Sequence, residues 1–177
     1  NNPNRPVEKV SWADAQIFLT RLNTQQSANI PTGWAYVLPT ESQWEYACRA
    51  GTSTVFSWGG SASSTQANFD GTQPYGGGAT GVKIGQTSNV GQYAANPWGF
   101  FDMHGNVWEW TADWYGATYP TGNPVVDSTG PASGSDRVKR GGSWGDAGTF
   151  LRSAERYGNT PSIRSLNLGF RVGFQQQ

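Results

Sequence analysis

Apolar residues recur at helical spacing twice within the first fifty positions. Ala13, Ile17, Phe18 and Leu22 fall on one face of a helix that Ser11 can cap. In the second stretch Thr40 stands three residues before Gln43, the spacing of a capping box, and Trp44, Ala47 and Cys48 supply the apolar face. Gly51 stands where a terminal glycine would stop that helix. Between the two, Trp34-Ala35-Tyr36-Val37-Leu38 predicts a short strand. From Gly51 to Asn96 the periodicity dissolves into Gly, Ser, Thr, Asn and Gln. A loop that long inside a compact domain needs something to fix it, such as an ion or a functional role. Strand patterns return at 107–111, 137–140 and 168–172, separated by Gly and Pro, which predicts hairpins in a small antiparallel sheet. Helices first and strands later indicate one α+β domain over residues 1–177, with no internal repeat.

Composition refines this picture. Aromatic residues make up 14% of the chain, so the core is expected to rest on a few large flat side chains. The 24 glycines are about twice the average usage, which fits a turn-rich fold. Lys+Arg 12 balance Asp+Glu 12 and no basic run is present, so no nucleic-acid partner is expected. No apolar run approaches the ~20 residues of a membrane span. The chain begins Asn1-Asn2-Pro3 without Met and is read as the C-terminal part of a longer chain, fusion to an N-terminal domain being open. Its compartment is not indicated.

A single cysteine, Cys48, excludes an internal disulfide and any cysteine-cluster zinc site, and the single histidine, His104, excludes a histidine-built one. Cys48, on the apolar face of its helix, reads as a buried structural residue. His104 precedes Gly105 in a turn, with no second histidine or free cysteine nearby, and reads as structural. Asp113 and Glu45 read as solvated or capping carboxylates rather than an acid/base pair. Trp108 and Trp110 lie on one strand, so one is expected in the core, and for the other the core is the default reading and a cleft the alternative.

Five ordered segments carry a family resemblance. They are Pro6-Val7-Glu8-Lys9-Val10-Ser11-Trp12; Leu38-Pro39-Thr40-Glu41-Ser42-Gln43-Trp44-Glu45-Tyr46-Ala47; Gly99-Phe100-Phe101-Asp102-Met103-His104-Gly105-Asn106-Val107-Trp108-Glu109-Trp110; Arg140-Gly141-Gly142-Ser143-Trp144; and Asn167-Leu168-Gly169-Phe170-Arg171. In this order they resemble the formylglycine-generating, sulfatase-modifying enzyme family. The resemblance implies a C-type-lectin-like fold of two helices, a small twisted sheet and long irregular loops. It also implies where the enzyme's two copper-holding cysteines would lie, in the interval after Gly142-Ser143. That interval contains no cysteine here, and the second cysteine's place falls on Ser153. Thiolate is the ligand a cuprous ion selects, so copper is not expected, and because the iron oxidases of this superfamily hold iron with histidines, the single His104 leaves iron unexpected too.

The chain is also similar to a subset of this fold, the variable proteins of diversity-generating retroelements, in which adenine-directed mutagenesis diversifies a C-terminal surface. Gly145, Asp146, Gly148, Thr149, Phe150, Tyr157, Gly158, Asn159, Ile163, Ser165, Leu166 and Asn167 are all residues that such mutagenesis reaches. Flat anchors such as Phe150, Tyr157, Ile163 and Leu166 among small residues suit a binding surface for a protein or glycan ligand, framed by Arg140, Arg152, Arg156, Arg164 and Arg171. The alternative is an ordinary turn-rich surface with these apolar groups tucked into the core. The family resemblance further implies a structural Ca²⁺ held by the Asp102 and Glu109 carboxylates and the Gly105 and Val107 carbonyls. The competing reading has Asp102 capping a turn and Glu109 paired with an arginine. A second calcium site would use Asn68 and the Phe69 carbonyl, but its acidic partner falls near Val82. Three functions follow as expectations: a non-catalytic ligand-binding domain first, then an enzyme or enzyme accessory of the formylglycine-generating or iron-oxidase superfamily, and a sensory domain fused to a signalling module.

Overall fold

The computed structural model describes residues 2–118 and 128–177. Helix α1 spans Trp12–Gln25 and α2 spans Glu41–Arg49. The strands are β1 (Trp34–Val37), β2 (Trp108–Trp114), β3 (Arg137–Arg140), β4 (Arg156–Asn159), β5 (Leu168–Phe170) and β6 (Gly173–Gln176), with a short 3₁₀ turn at Gly148–Leu151. Both helices start at capping boxes. Thr40 and Gln43 exchange the two hydrogen bonds in α2, and Ser11 does so with Asp14 in α1. Helix α2 ends one residue earlier than Gly51 suggested, with Ala50 itself in the left-handed region at φ 47°.

The strands form a four-stranded sheet in the order β4-β3-β2-β5 and a separate β1-β6 pair. β3 runs antiparallel to both β2 and β4, but β5 lies parallel to β2, with Trp108 opposite Leu168 and Trp110 opposite Phe170. The all-hairpin expectation is therefore corrected: the chain returns to β2 by a crossover through residues 141–167 rather than by a turn.

Side-chain alternation gives the four-stranded sheet two different faces. Trp108, Trp110 and Leu168 point toward α1 and pack with Ala15, Leu19 and Leu38. Both tryptophans are buried, the default reading, and neither lines a cleft. The apolar stripe of α1 is also corrected. Ala15 and Leu19 are its buried residues, with Trp12 packed beside them, while Ile17 and Phe18 remain about half exposed. Helix α1 covers only a narrow strip of sheet, so Phe18 reaches no further than an edge contact with Phe170. On the opposite face, Glu109 accepts a 2.7 Å hydrogen bond from Trp44 Nε1 of α2, and Trp44 and Cys48 pack on Met103.

The long segment after α2 is irregular but fixed by its own polar groups. Asn96 caps the end of α2 by donating Nδ2–H to the Ala47 and Cys48 carbonyls, while its Oδ1 accepts the Trp98 and Phe100 amides. Asn106 Oδ1 accepts Ser88 N–H, and Phe56, Ala62, Ala67, Phe69 and Leu151 form a separate small core beneath. Buried backbone groups without a ladder must find such partners.

Candidate binding surface

The crossover 141–167, the starts of β2 and β4 and the end of β3 meet at one end of the α1-facing side of the sheet. Here Trp108 Nε1 donates to Asp146 Oδ2 at 2.8 Å, and the Ser143 hydroxyl donates to the same carboxylate. Asn167 Nδ2 donates to Ser143 Oγ at 3.1 Å, and Asn167 Oδ1 accepts from Ser165. Tyr157 of β4 lies directly across from Lys139 of β3. The Lys139 ammonium sits 4.6 Å from the Trp108 ring centre and 5.1 Å from that of Tyr157. Burial lowers the Lys139 pKa, and the charge of Asp146 opposes the shift. Trp144 Nε1 donates to the Leu166 carbonyl, and both residues line a groove of about 910 Å³ together with Arg5, Val7 and Gln86.

The twelve positions read from the sequence do not occupy equivalent places. Gly145, Tyr157, Ile163 and Leu166 are exposed, the last three by 51%, 39% and 50%. Thr149, Asn159 and Ser165 are half-buried. Asp146 and Asn167 are tied into the network around Trp108, and Phe150 packs on the α1 core. Gly148 is buried, and an added Cβ would stand 3.0 Å from the Tyr75 amide. At Gly158 an added Cβ would stand 2.7 Å from the Tyr115 ring. These two glycines are set by close packing.

The expected arginine frame is corrected as well. Arg140 and Arg156 serve the α2 side, where both contact Glu41 and Arg140 also contacts Glu45. Arg171 holds Glu109 through Nε at 2.6 Å and Nη2 at 2.7 Å. Asp113 caps α2 by accepting Glu41 N–H, and burial pushes its carboxyl up to about 6. Glu41, Glu45, Asp113 and Arg156 border a smaller cleft of about 270 Å³ with Tyr46 and Pro131. Glu45 is held by Arg49 and Arg140 rather than solvated.

His104 does have a free cysteine nearby, contrary to expectation. Cys48 Sγ lies 3.5 Å from its Nε2, because α2 packs on the loop that carries the histidine. His104 Nδ1 is 2.7 Å from the Leu151 carbonyl, so Nδ1 carries the proton, and Nε2 accepts from Ser57 N–H at 3.2 Å. Burial holds the imidazole neutral, with a pKa of about 4, and pushes the Cys48 thiol up to about 12. Because the folded state resists protonating His104, its contribution is complete above about pH 6.5 and is lost as pH falls toward 4. In an Asp102→Asn, Asp113→Asn background, which removes the opposing titrations of these two raised carboxyls, that loss should reach roughly 3 kcal/mol in urea unfolding between pH 6.5 and 4. A flat profile would show that the neutral ring is not required.

The loop after Phe101 carries the residues of the calcium reading. Asp102, Gly105, Val107 and Glu109 line one cleft of about 470 Å³. Asp102, Gly105 and Asn106 all adopt positive φ, which coils the loop tightly. Asp102 is half-buried, its Oδ2 accepts Gly91 N–H, and burial raises its pKa. Glu109 is paired with an arginine, as the competing reading had it, yet its Oε1 receives only the Arg171 Nη2 bond, leaving a lone pair. Among the described residues no group of three or more Asp, Glu, His or Cys converges, so any ion here would depend on carbonyl oxygens. Asn68 Oδ1 is buried and, among the described residues, has no hydrogen-bond partner, and Val82 is an exposed apolar residue.

Lys139 and Ser143, central to this surface, were not singled out by sequence. The signal was the alternation of 137–140. With Val138 and Arg140 buried on one side, Lys139 must share the other with Trp108.

Comparison with known proteins places the chain in a family and a fold. A formylglycine-generating enzyme of Streptomyces coelicolor is 37% identical over 178 residues, covering 96% of this chain and 52% of its own length. An inactive C-alpha-formylglycine-generating enzyme 2 of Bos taurus is 34% identical over 173 residues, covering 94% of this chain and 49% of its own. The chain thus spans about half the length of these relatives. Among solved structures, variable protein 1 of Treponema denticola superposes with a TM-score of 0.80 at 24% identity, covering 100% of this chain and 73% of that one, a likeness of fold. PvdO from Pseudomonas aeruginosa gives 0.79 at 29% identity, covering 100% and 64%. The fold is the C-type-lectin-like α+β arrangement these proteins share. Residues 1–175 match the model of the sulfatase-modifying factor enzyme 1-like domain, and the chain belongs to that family.

Proposed function

We propose that this chain is a non-catalytic ligand-binding domain, of the variable-protein kind, that presents the surface around Trp108, Tyr157 and Leu166 to a ligand. The observation that carries the reading is the state of sulfur. The interval in which the family's copper-holding cysteines would lie contains none, and the only thiol of the chain is buried, protonated and turned toward a neutral imidazole. A cuprous ion needs exposed thiolate, which this chain does not offer. The relative named as inactive supports the same conclusion. What the surface does offer is two half-exposed apolar side chains on a backbone locked by internal hydrogen bonds, a preorganised arrangement that favours binding.

The double replacement Tyr157→Ala and Leu166→Ala should abolish binding to any ligand identified for the domain while changing unfolding free energy by only about 0.5 kcal/mol. Binding that survives both changes moves the site elsewhere. The diversification reading has its own check. Copies of the coding region from independent isolates should differ at 145, 157, 163 and 166 and keep glycine at 148 and 158. Variation spread evenly over the interval would contradict it.

The cleft at Asp102 supports a structural calcium within the same reading. The Asp102 and Glu109 carboxylates and the Gly105 and Val107 carbonyls would hold the ion, a hard-oxygen set suited to Ca²⁺. It would pin the loop after Phe101 to β2. Calcium added to chelator-treated protein should then raise its Tm, and an unchanged melt would remove the ion from the account.

A further inference from the structure

The three cations of β3 are served very differently. Arg137 lies between the Trp12 and Trp114 rings and donates to the Ala112 carbonyl. Arg140 is enclosed by carboxylates and carbonyls. Lys139 has two aromatic rings beside it and, among the described residues, no hydrogen-bond acceptor and no ion-pair partner. An ammonium has three donors and a strongly held hydration shell, so half-burying it without an acceptor is costly. The opposite charge that acts on it, Asp146, is committed to Trp108 and Ser143 and forms no salt bridge with it.

We propose that Lys139 is the charge-recognition point of this surface, and that the ligand is an acidic protein segment that sets a carboxylate on its ammonium and apolar neighbours on Tyr157 and Leu166. This rests on the binding reading above and gives it a ligand class. The rings of Trp108 and Tyr157 flank the ammonium and hold it at the foot of the exposed Tyr157. A protein partner fits better than a glycan because the polar side chains here are already satisfied. Asp146, Ser143 and Asn167 bond one another and Trp108, which leaves little to meet sugar hydroxyls. The unmet features are one positive charge and apolar area. Lys139 also lies outside the set of changeable positions, so it would act as a fixed anchor while 145, 157, 163 and 166 set which acidic segment fits.

The test is selection of a displayed random-peptide library on the intact domain. Selected binders should carry Asp or Glu beside apolar residues. Lys139→Met should weaken them by about tenfold or more, with circular dichroism and Tm unchanged, and Lys139→Arg should largely restore binding. Converting the peptide's acid to its amide should cost the same on the wild type and nothing further on Lys139→Met. If Tyr157→Ala with Leu166→Ala abolishes binding while Lys139→Met does not, the surface stands and the lysine assignment falls. If neither change matters, both fall. A library that yields no binder, or binders without acidic residues, also overturns the assignment.

Discussion

Replacing Arg140 with methionine should lower the unfolding free energy by about 3–5 kcal/mol, the cost of opening a buried ion pair from one side. Arg140 is fully buried, and its guanidinium contacts Glu45, the Glu155 and Ser153 carbonyls and, at 3.4 Å, Glu41. Glu41 would keep Arg156 and Glu45 would keep Arg49, but the two carbonyls would lose their donor in a space closed to water. The same guanidinium ties α2 to the crossover and to β3, so its loss should loosen the support behind the binding surface without touching that surface. Urea unfolding measures the effect, and a loss under about 1 kcal/mol would mean that the neighbouring arginines take over.

That network shows where sequence reading succeeds and where it stops. The α2 capping box was legible because Thr40 and Gln43 act over three residues, whereas in α1 only the Ser11 cap was read, and β3 was read with its observed bounds. The stripe of α1 was misplaced because Ile17 and Phe18 satisfy helical spacing as well as Ala15 and Leu19 do. Only the width of the sheet beneath decides between them. The parallel seat of β5, the strands β4 and β6, and the meeting of Cys48 with His104 depend on contacts between distant segments. The candidate surface was legible as an interval but not as a shape. Nothing local distinguishes Gly148 and Gly158, held by Tyr75 and Tyr115, from Gly145, which has open space beside it.

The second large effect is expected at Gly105. Its φ of +86° belongs to the left-handed region, and an added Cβ would overlap the Asn68 carbonyl and approach Leu151 at 3.3 Å. The backbone term alone is about 1–2 kcal/mol for a residue with a side chain. The overlap is with backbone that also accepts Asn106 N–H, so it cannot rotate away. Gly105→Ala should therefore cost at least about 3 kcal/mol in urea unfolding. It should also abolish any calcium-dependent rise in Tm, since the loop that positions Asp102 would have to open. A variant that melts like the wild type would show that the loop has room the structure does not suggest.

The pairing of β1 with β6 sets the order in which the domain can mature. Trp34 lies opposite Gln176 and Val37 opposite Gly173, so a ribbon begun at β1 waits for a strand far along the chain. Until residue 176 has left the ribosome, β1 is an unmatched edge carrying Trp34 and Tyr36. Such late, long-range closure slows folding and exposes sticky backbone meanwhile.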